Sequence, residues 1–300
     1  MLAVSDPGIE LLAVTTVAGN VTVDHTTRNA LRVLDMVNRP DIPVAAGRDR
    51  PRVRALSTAA MMHGDSGLAG PLPVDPSRPA LDIPAIELIE QLLRDAVEPI
   101  TLVATGPLTT MADVVERLPH LRDRIRELVI MGGAVDLGNW TPAAEFNIWV
   151  DPHSADVVFR AAGVPGACPP DRIGLTMIGL EVTHEAWLVD EHADELRDSG
   201  RAGRFVAELL DHFVGFHQDR FGWQGAPIHD AVTIAHLIDP TLVSTLAANV
   251  QIETESELCI GRTVVDRWAV TDCSPNALVG MHIDRNRFVT LLLEHLSRLP

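Results

Sequence analysis

Short apolar runs alternate with amphipathic stretches through the first half of the chain. Residues 10–17, Glu-Leu-Leu-Ala-Val-Thr-Thr-Val, are short and branched enough to predict a buried strand. Residues 42–46, 100–104 and 127–131 repeat that signature, and a further strand is expected near 175–178. Helical patterns lie between them. Asp24 is placed to cap a helix to about residue 37, with Leu31, Leu34 and Val37 on one face. Asp82-Ile-Pro-Ala predicts another to about 96, with aspartate at the N-cap and proline in the first turn. Helices are also expected after Thr105-Gly-Pro and from about 153 to 162. Wholly apolar strands alternating with helices imply a parallel sheet covered on both faces.

The second half is more helical, at about 203–221 and 227–238. Shorter runs near 249–257, 263–269 and 276–282 read as a small antiparallel addition, closed by a helix from about Asp284. The proline-rich residues 164–171 read as a surface loop. No composition shift marks a boundary. The expected architecture is therefore one α/β domain over residues 1–300, a mainly parallel sheet flanked by helices with a small C-terminal antiparallel addition. In such sheets ligands bind beyond the carboxyl ends of the strands. That points to Gly19-Asn20, Thr105-Gly106 and the segment from Gly132 to Asn147.

Charge narrows the partners. Forty-one acidic and 24 basic residues leave a net charge of −17. Such a chain repels nucleic-acid phosphates and anionic membranes, and a small neutral or cationic ligand or a metal cation suits it better. No stretch approaches the roughly 18 uninterrupted apolar residues of a membrane span, and no N-terminal secretory pattern is visible. Three cysteines, Cys168, Cys259 and Cys273, are widely spaced. They argue against a disulfide framework or cysteine zinc site and for a reducing cytoplasm. Every basic residue is arginine and tyrosine is absent, as a GC-rich gene would produce.

Four segments could carry chemistry. Val14-Thr-Thr-Val-Ala-Gly-Asn20 is a strand end with either ordinary turn chemistry or a ligand-facing Asn20. His63-Gly-Asp-Ser-Gly-Leu-Ala-Gly70 is either a bland flexible loop or one that closes over a ligand. Asn139, Glu145 and Asn147 cluster after a buried strand. They are caps and turn residues, or amides and a carboxylate holding several hydroxyls of a sugar. His229-Asp230 opens a helix, where a negative side chain is favoured. The pair is a capping aspartate beside a partly buried histidine, or a cation ligand beside an acid/base group.

Together these segments resemble one family, the nucleoside hydrolases, over nearly the whole chain. The motifs run from Thr15-Thr-Val-Ala-Gly-Asn20 and Pro43-Val-Ala-Ala-Gly47 through His63-Gly64 and Ala104-Thr-Gly-Pro-Leu-Thr109. They continue through Met131-Gly-Gly133, Ala144-Glu-Phe-Asn147, Val150-Asp-Pro152, His229-Asp230 and Thr263-Val-Val-Asp266. The resemblance implies a Rossmann-like fold and hydrolysis of the N-glycosidic bond of ribonucleosides to ribose and free base. It implies a calcium ion bound by the Thr105 carbonyl and the Asp230 carboxylate, both hard oxygen donors. It assigns the ribose to Asn139, Glu145 and Asn147, with Asn20 and Met131 nearby, and places His63 near the base. His229 would protonate the leaving base, and pocket carboxylates would stabilise an oxocarbenium-like transition state. A homodimer or homotetramer is implied, and base preference is left open.

One departure is large. The family opens with Asp-x-Asp-Pro-Gly-x-Asp-Asp, whose aspartates supply two calcium ligands and the base that activates water. This sequence lacks it. Asp6-Pro-Gly-Ile-Glu10 imitates it, but too few residues separate Gly8 from Thr15 for the helix that follows the motif in the family. The register sets Met1 to Ser5 at the end of that helix, so the chain is expected to be truncated within it. Either the native start lies upstream of a complete enzyme, or this is an inactive homologue that binds nucleoside or an intact paralogue. A hydrolase of another class has no support, since no G-x-S-x-G elbow and no catalytic cysteine setting is present.

Overall fold

Four apolar strands lie parallel and side by side in a computed structural model that describes residues 1–69 and 74–300. They are Ile100–Ala104, Ile125–Met131, Ile173–Ile178 and Ala277–Ile283, in that spatial order. Val243–Ala248 extends this sheet antiparallel to Ala277–Ile283, and Ala162–Gly163 pairs with the start of Ile173–Ile178. Val14–Thr16 and Val44–Ala46 pair in parallel as a separate two-stranded sheet.

Strand side chains alternate between two cores. Leu128, Ile130, Leu175 and Met177 pack against Ala85–Asp95, Thr109–Arg117 and Pro152–Arg160. Val129 and Ile178 face the opposite core, built from Gly200–Phe221, Ala231–Ile238 and Arg285–Ser297. Burial on both faces is why these strands are mainly apolar, their charged residues Arg126 and Glu127 lying near the start of Ile125–Met131. Removing one large side chain such as the fully buried Phe288 from water contributes about 1.5–3 kcal/mol.

The α/β class and the parallel sheet agree with the sequence pattern, and several details differ. Thr22, not Asp24, is the N-cap of Val23–Met36, and Asp24 lies in the first turn, where its charge meets the helix dipole. Pro84 occupies the N-cap of Ala85–Asp95, which leaves Asp82 outside the helix. Within residues 10–17 only Val14–Thr16 is strand. Val250–Ile252 and Thr263–Val265 form the expected antiparallel pair. The third tail run does not join them. Ala277–Ile283 runs parallel to Ile173–Ile178 inside the main sheet, and its start, Ala-Leu-Val-Gly-Met, has the unbroken apolar character of an interior strand. Residues 227–230 are not helical as expected. Ala226–Pro227 pairs with Trp187–Leu188, and the helix starts at Ala231 with Asp230 as its N-cap. Gly70, the last glycine of the His63 segment, lies outside the described residues.

Candidate active site

The strand ends at Ala104, Met131 and Ile178 lead into one hydrogen-bonded group of side chains. Glu145 is its centre. It N-caps the short helix Phe146–Val150. Its Oε1 accepts from the Asn147 N–H (2.8 Å), and its Oε2 accepts from the Ile148 and Gly133 N–H groups (3.1 and 3.0 Å). Burial pushes the Glu145 carboxyl up, and the N–H groups pull against that shift. Gly133 has φ of 74°, and a Cβ there would lie 2.7 Å from the Thr263 methyl, so glycine is required on both counts.

Asn147 ties two strand ends together. Its Nδ2 donates to the Met131 carbonyl (3.0 Å) and the Thr105 carbonyl (3.3 Å). Those two acceptors fix the amide orientation, and Oδ1 has no hydrogen-bond partner among the described residues. Asn139 is exposed, and its Oδ1 accepts from the Phe146 N–H (2.9 Å), leaving its amide hydrogens free. Asn20 follows the strand Val14–Thr16, and its carbonyl accepts from the Ala59 N–H (3.0 Å). That bond seats it against the turn Ala60–His63.

Asp230 stands beside this group, and its carboxylate accepts no hydrogen bond from the described residues. Surrounding protein and the Glu145 charge push it up to about 7. The residue is exposed to solvent, so the shift comes from the protein atoms crowding its carboxylate on the side toward Glu145. Such a carboxylate is stabilised by a cation. The Thr105 carbonyl offers a second hard oxygen. In kind these donors fit a divalent cation such as calcium. In number they do not complete its shell of about six to eight oxygens. Among the described residues, no group of three or more His, Cys, Asp or Glu side chains gathers where a metal could sit.

A cluster of rings flanks this group. The His229 Nδ1 lies 2.8 Å from the Thr183 hydroxyl, and the His184 ring centroid is 5.8 Å from that of His229. Protein on most sides holds His229 neutral, pushed down to about 3, with His184, His217 and His63 adding to the shift. His63 is pushed down to about 4 by burial, then by His212, and its ring sits 5.4 Å from Phe213. Trp223 stacks on His217 at 5.6 Å and meets Phe221 and Trp187 at 4.8 and 5.0 Å, so it is engaged in protein packing.

The structure thus joins Thr105, Met131, Asn139, Glu145 and Asn147 through hydrogen bonds. Asp230 is coupled to them by the Glu145 charge, and His63 and His229 belong to the ring cluster. Asn20 touches neither group by a side-chain hydrogen bond among the described residues. The sequence reading passed over Glu181, Thr183, His184 and His217. Glu181 accepts from the Val135, Asp136 and Leu137 N–H groups (2.9, 2.8 and 3.2 Å), which pins the segment leading to Asn139. The signal available for Glu181 to His184 was position: they follow a buried parallel strand at its carboxyl end.

Comparison with known proteins returns one kind of protein throughout. The family model described as inosine-uridine preferring nucleoside hydrolase matches residues 1–290. A pyrimidine-specific ribonucleoside hydrolase RihA of Shewanella baltica (strain OS185) is 46% identical over 298 residues, covering 99% of this chain and 91% of that protein. One of the same name from Citrobacter koseri is 45% identical, covering 99% and 93%. Among solved structures, a purine-preferring ribonucleoside hydrolase from Gardnerella vaginalis superposes with a TM-score of 0.89 at 30% identity, covering 99% of this chain and 94% of that one.

Proposed function

Because the chain belongs to the inosine-uridine preferring nucleoside hydrolase family, which cleaves the N-glycosidic bond of ribonucleosides, we propose that it acts on pyrimidine ribonucleosides with a calcium ion. The observation that carries the reading is the unpartnered Asp230 carboxylate beside the Glu145–Asn147 network, with the His229 ring as its sequence neighbour. The pyrimidine preference rests on the Shewanella and Citrobacter relatives, whose names specify it.

The roles follow from donor chemistry. Asp230 and the Thr105 carbonyl would hold the cation, which when bound supplies positive charge that gathers hydroxyl oxygens and acidifies water. Among the described residues, Asn139 has a free amide NH2 that donates to ribose hydroxyls, and Asn147 has a free Oδ1 that accepts from them. Glu145 spends its oxygens on backbone N–H groups and so acts by holding Asn147 and by adding negative charge. That charge favours the cationic sugar of the transition state. The Met131 carbonyl orients the Asn147 amide. Asn20 lines the sugar side, and His63 lies toward the base. His229, neutral at physiological pH, offers an N–H to the base as electron density accumulates there. No helix among the described residues is long and apolar enough to cross a membrane. The cysteine pattern supports a cytoplasmic location, and the family resemblance supports a homodimer or homotetramer.

His229→Ala tests the central assignment. It should slow hydrolysis of uridine far more than of a riboside with an activated leaving group such as p-nitrophenol. Equal slowing of both would remove His229 from base departure. Competition between uridine and inosine tests the preference: faster turnover of inosine contradicts it.

A further inference from the structure

Thr183 is fully buried on a one-turn helix, Leu180–Thr183, that is fixed on all sides. Leu180 and Val182 are likewise without exposure. The Leu180 N–H donates to the Gly133 carbonyl (3.0 Å), and the Thr183 N–H donates to the Gly179 carbonyl (3.1 Å). The segment carrying His229 is registered to the same region, since the Ile228 N–H donates to the Ala186 carbonyl (2.8 Å). The Thr183 hydroxyl and His229 Nδ1 are therefore held at 2.8 Å by two anchored backbones.

The proton on that contact can be assigned. Among the described residues, His229 Nδ1 is the only hydrogen-bond partner of the Thr183 hydroxyl. If the imidazole donated from Nδ1, the buried hydroxyl hydrogen would have no acceptor, an arrangement that folded proteins avoid. The hydroxyl therefore donates, Nδ1 accepts, and the neutral ring carries its proton on Nε2. Nε2 has no partner among the described residues and is left for a ligand.

We propose that Thr183 is a positioning residue that sets the His229 tautomer so that Nε2–H faces the departing base. This rests on the reading of His229 as the donor to the base. The geometry makes Thr183 act through His229 rather than on substrate. Removing its hydroxyl frees the ring to exchange tautomers and to rotate, so the donor is present only part of the time.

The test combines spectroscopy with kinetics on the intact chain. Long-range ¹H–¹⁵N spectra of histidine-labelled wild-type protein should report His229 protonated on Nε2. Thr183→Val should give a mixture, and Thr183→Ser should restore the wild-type pattern. With uridine, Thr183→Val should lower kcat about tenfold or more with KM little changed, a fraction of the range spanned by general acids. The p-nitrophenyl riboside should be hydrolysed at nearly the wild-type rate, and Thr183→Ser should recover uridine activity. An Nδ1–H tautomer in the wild type overturns the proposal without any variant. Equal slowing of both substrates by Thr183→Val, or no rescue by serine, overturns it as well. His229→Ala separates the two layers. If it discriminates between substrates and Thr183→Val does not, only Thr183 is misassigned. If His229→Ala does not discriminate, the donor reading falls and takes this role with it.

Discussion

Glu181→Ala removes the acceptor that pins three consecutive backbone N–H groups, those of Val135, Asp136 and Leu137. The three do not lose equally. Asp136 and Leu137 are exposed, so their N–H groups turn to water at little cost. Val135 is buried, and its N–H is left without a partner, a loss of about 1–3 kcal/mol. Adding the charge-assisted component of the other two bonds brings the total to about 2–4 kcal/mol. Glu181→Gln keeps one carbonyl oxygen. Set toward Asp136 and Leu137, it turns the amide nitrogen to the buried Val135 N–H, which still loses its acceptor at about 1–3 kcal/mol. Turned to meet Val135, it leaves only the exposed pair to water, a loss of about 1 kcal/mol, and this is the orientation the side chain should take. The freed segment leads directly to Asn139, so loosening it should also weaken substrate binding, about tenfold in KM for each 1.4 kcal/mol of lost interaction. Urea denaturation and steady-state kinetics with uridine measure the two effects. A Glu181→Ala protein with wild-type stability and KM would refute the reasoning. Lost stability with unchanged KM would refute the part that ties Asn139 to this anchor.

Other predictions concern charge. Asp230→Asn should weaken calcium binding at least tenfold by calorimetry, since it removes a carboxylate pushed up by surrounding protein and by Glu145, with no hydrogen-bond donor among the described residues; unchanged affinity removes Asp230 from the cation site. His229 and His63 are pushed down to about 3 and about 4 from an ordinary value of 6.5. A base with a depressed folded value protonates first in the unfolded chain. Stability should therefore fall as pH drops below about 6.5 and level off near pH 3–4. His63→Phe, which keeps a ring against Phe213, should flatten that slope in urea melts; an unaltered slope contradicts the assignment.

Much of the framework was legible because burial on both faces leaves a strong mark. Ile100–Ala104 matched its expected bounds, and Ile125–Met131 and Ile173–Ile178 each began two residues earlier than expected. The misreading of Ala277–Ile283 came from its neighbours. It follows two short antiparallel strands in sequence, yet only tertiary context determines that it pairs with Ile173–Ile178. The site was legible where side chains cap or turn the chain locally, as in Glu145 and Asn147. It was not legible where the proposed roles rest on contact between distant segments. Nothing in the spacing of Thr183 and His229 announces a hydrogen bond across 46 residues. The stacking of Phe213, His217 and Trp223 on one another, and the nearness of His217 to His229, are likewise products of packing.

The most direct test of the account is base release by the purified chain. Uridine is supplied with calcium or with chelator, and free uracil and ribose are measured. The account predicts stoichiometric uracil and ribose with calcium and a sharp loss with chelator. Calorimetric binding of uridine without release of uracil under any metal condition would contradict it and leave a nucleoside-binding homologue in its place.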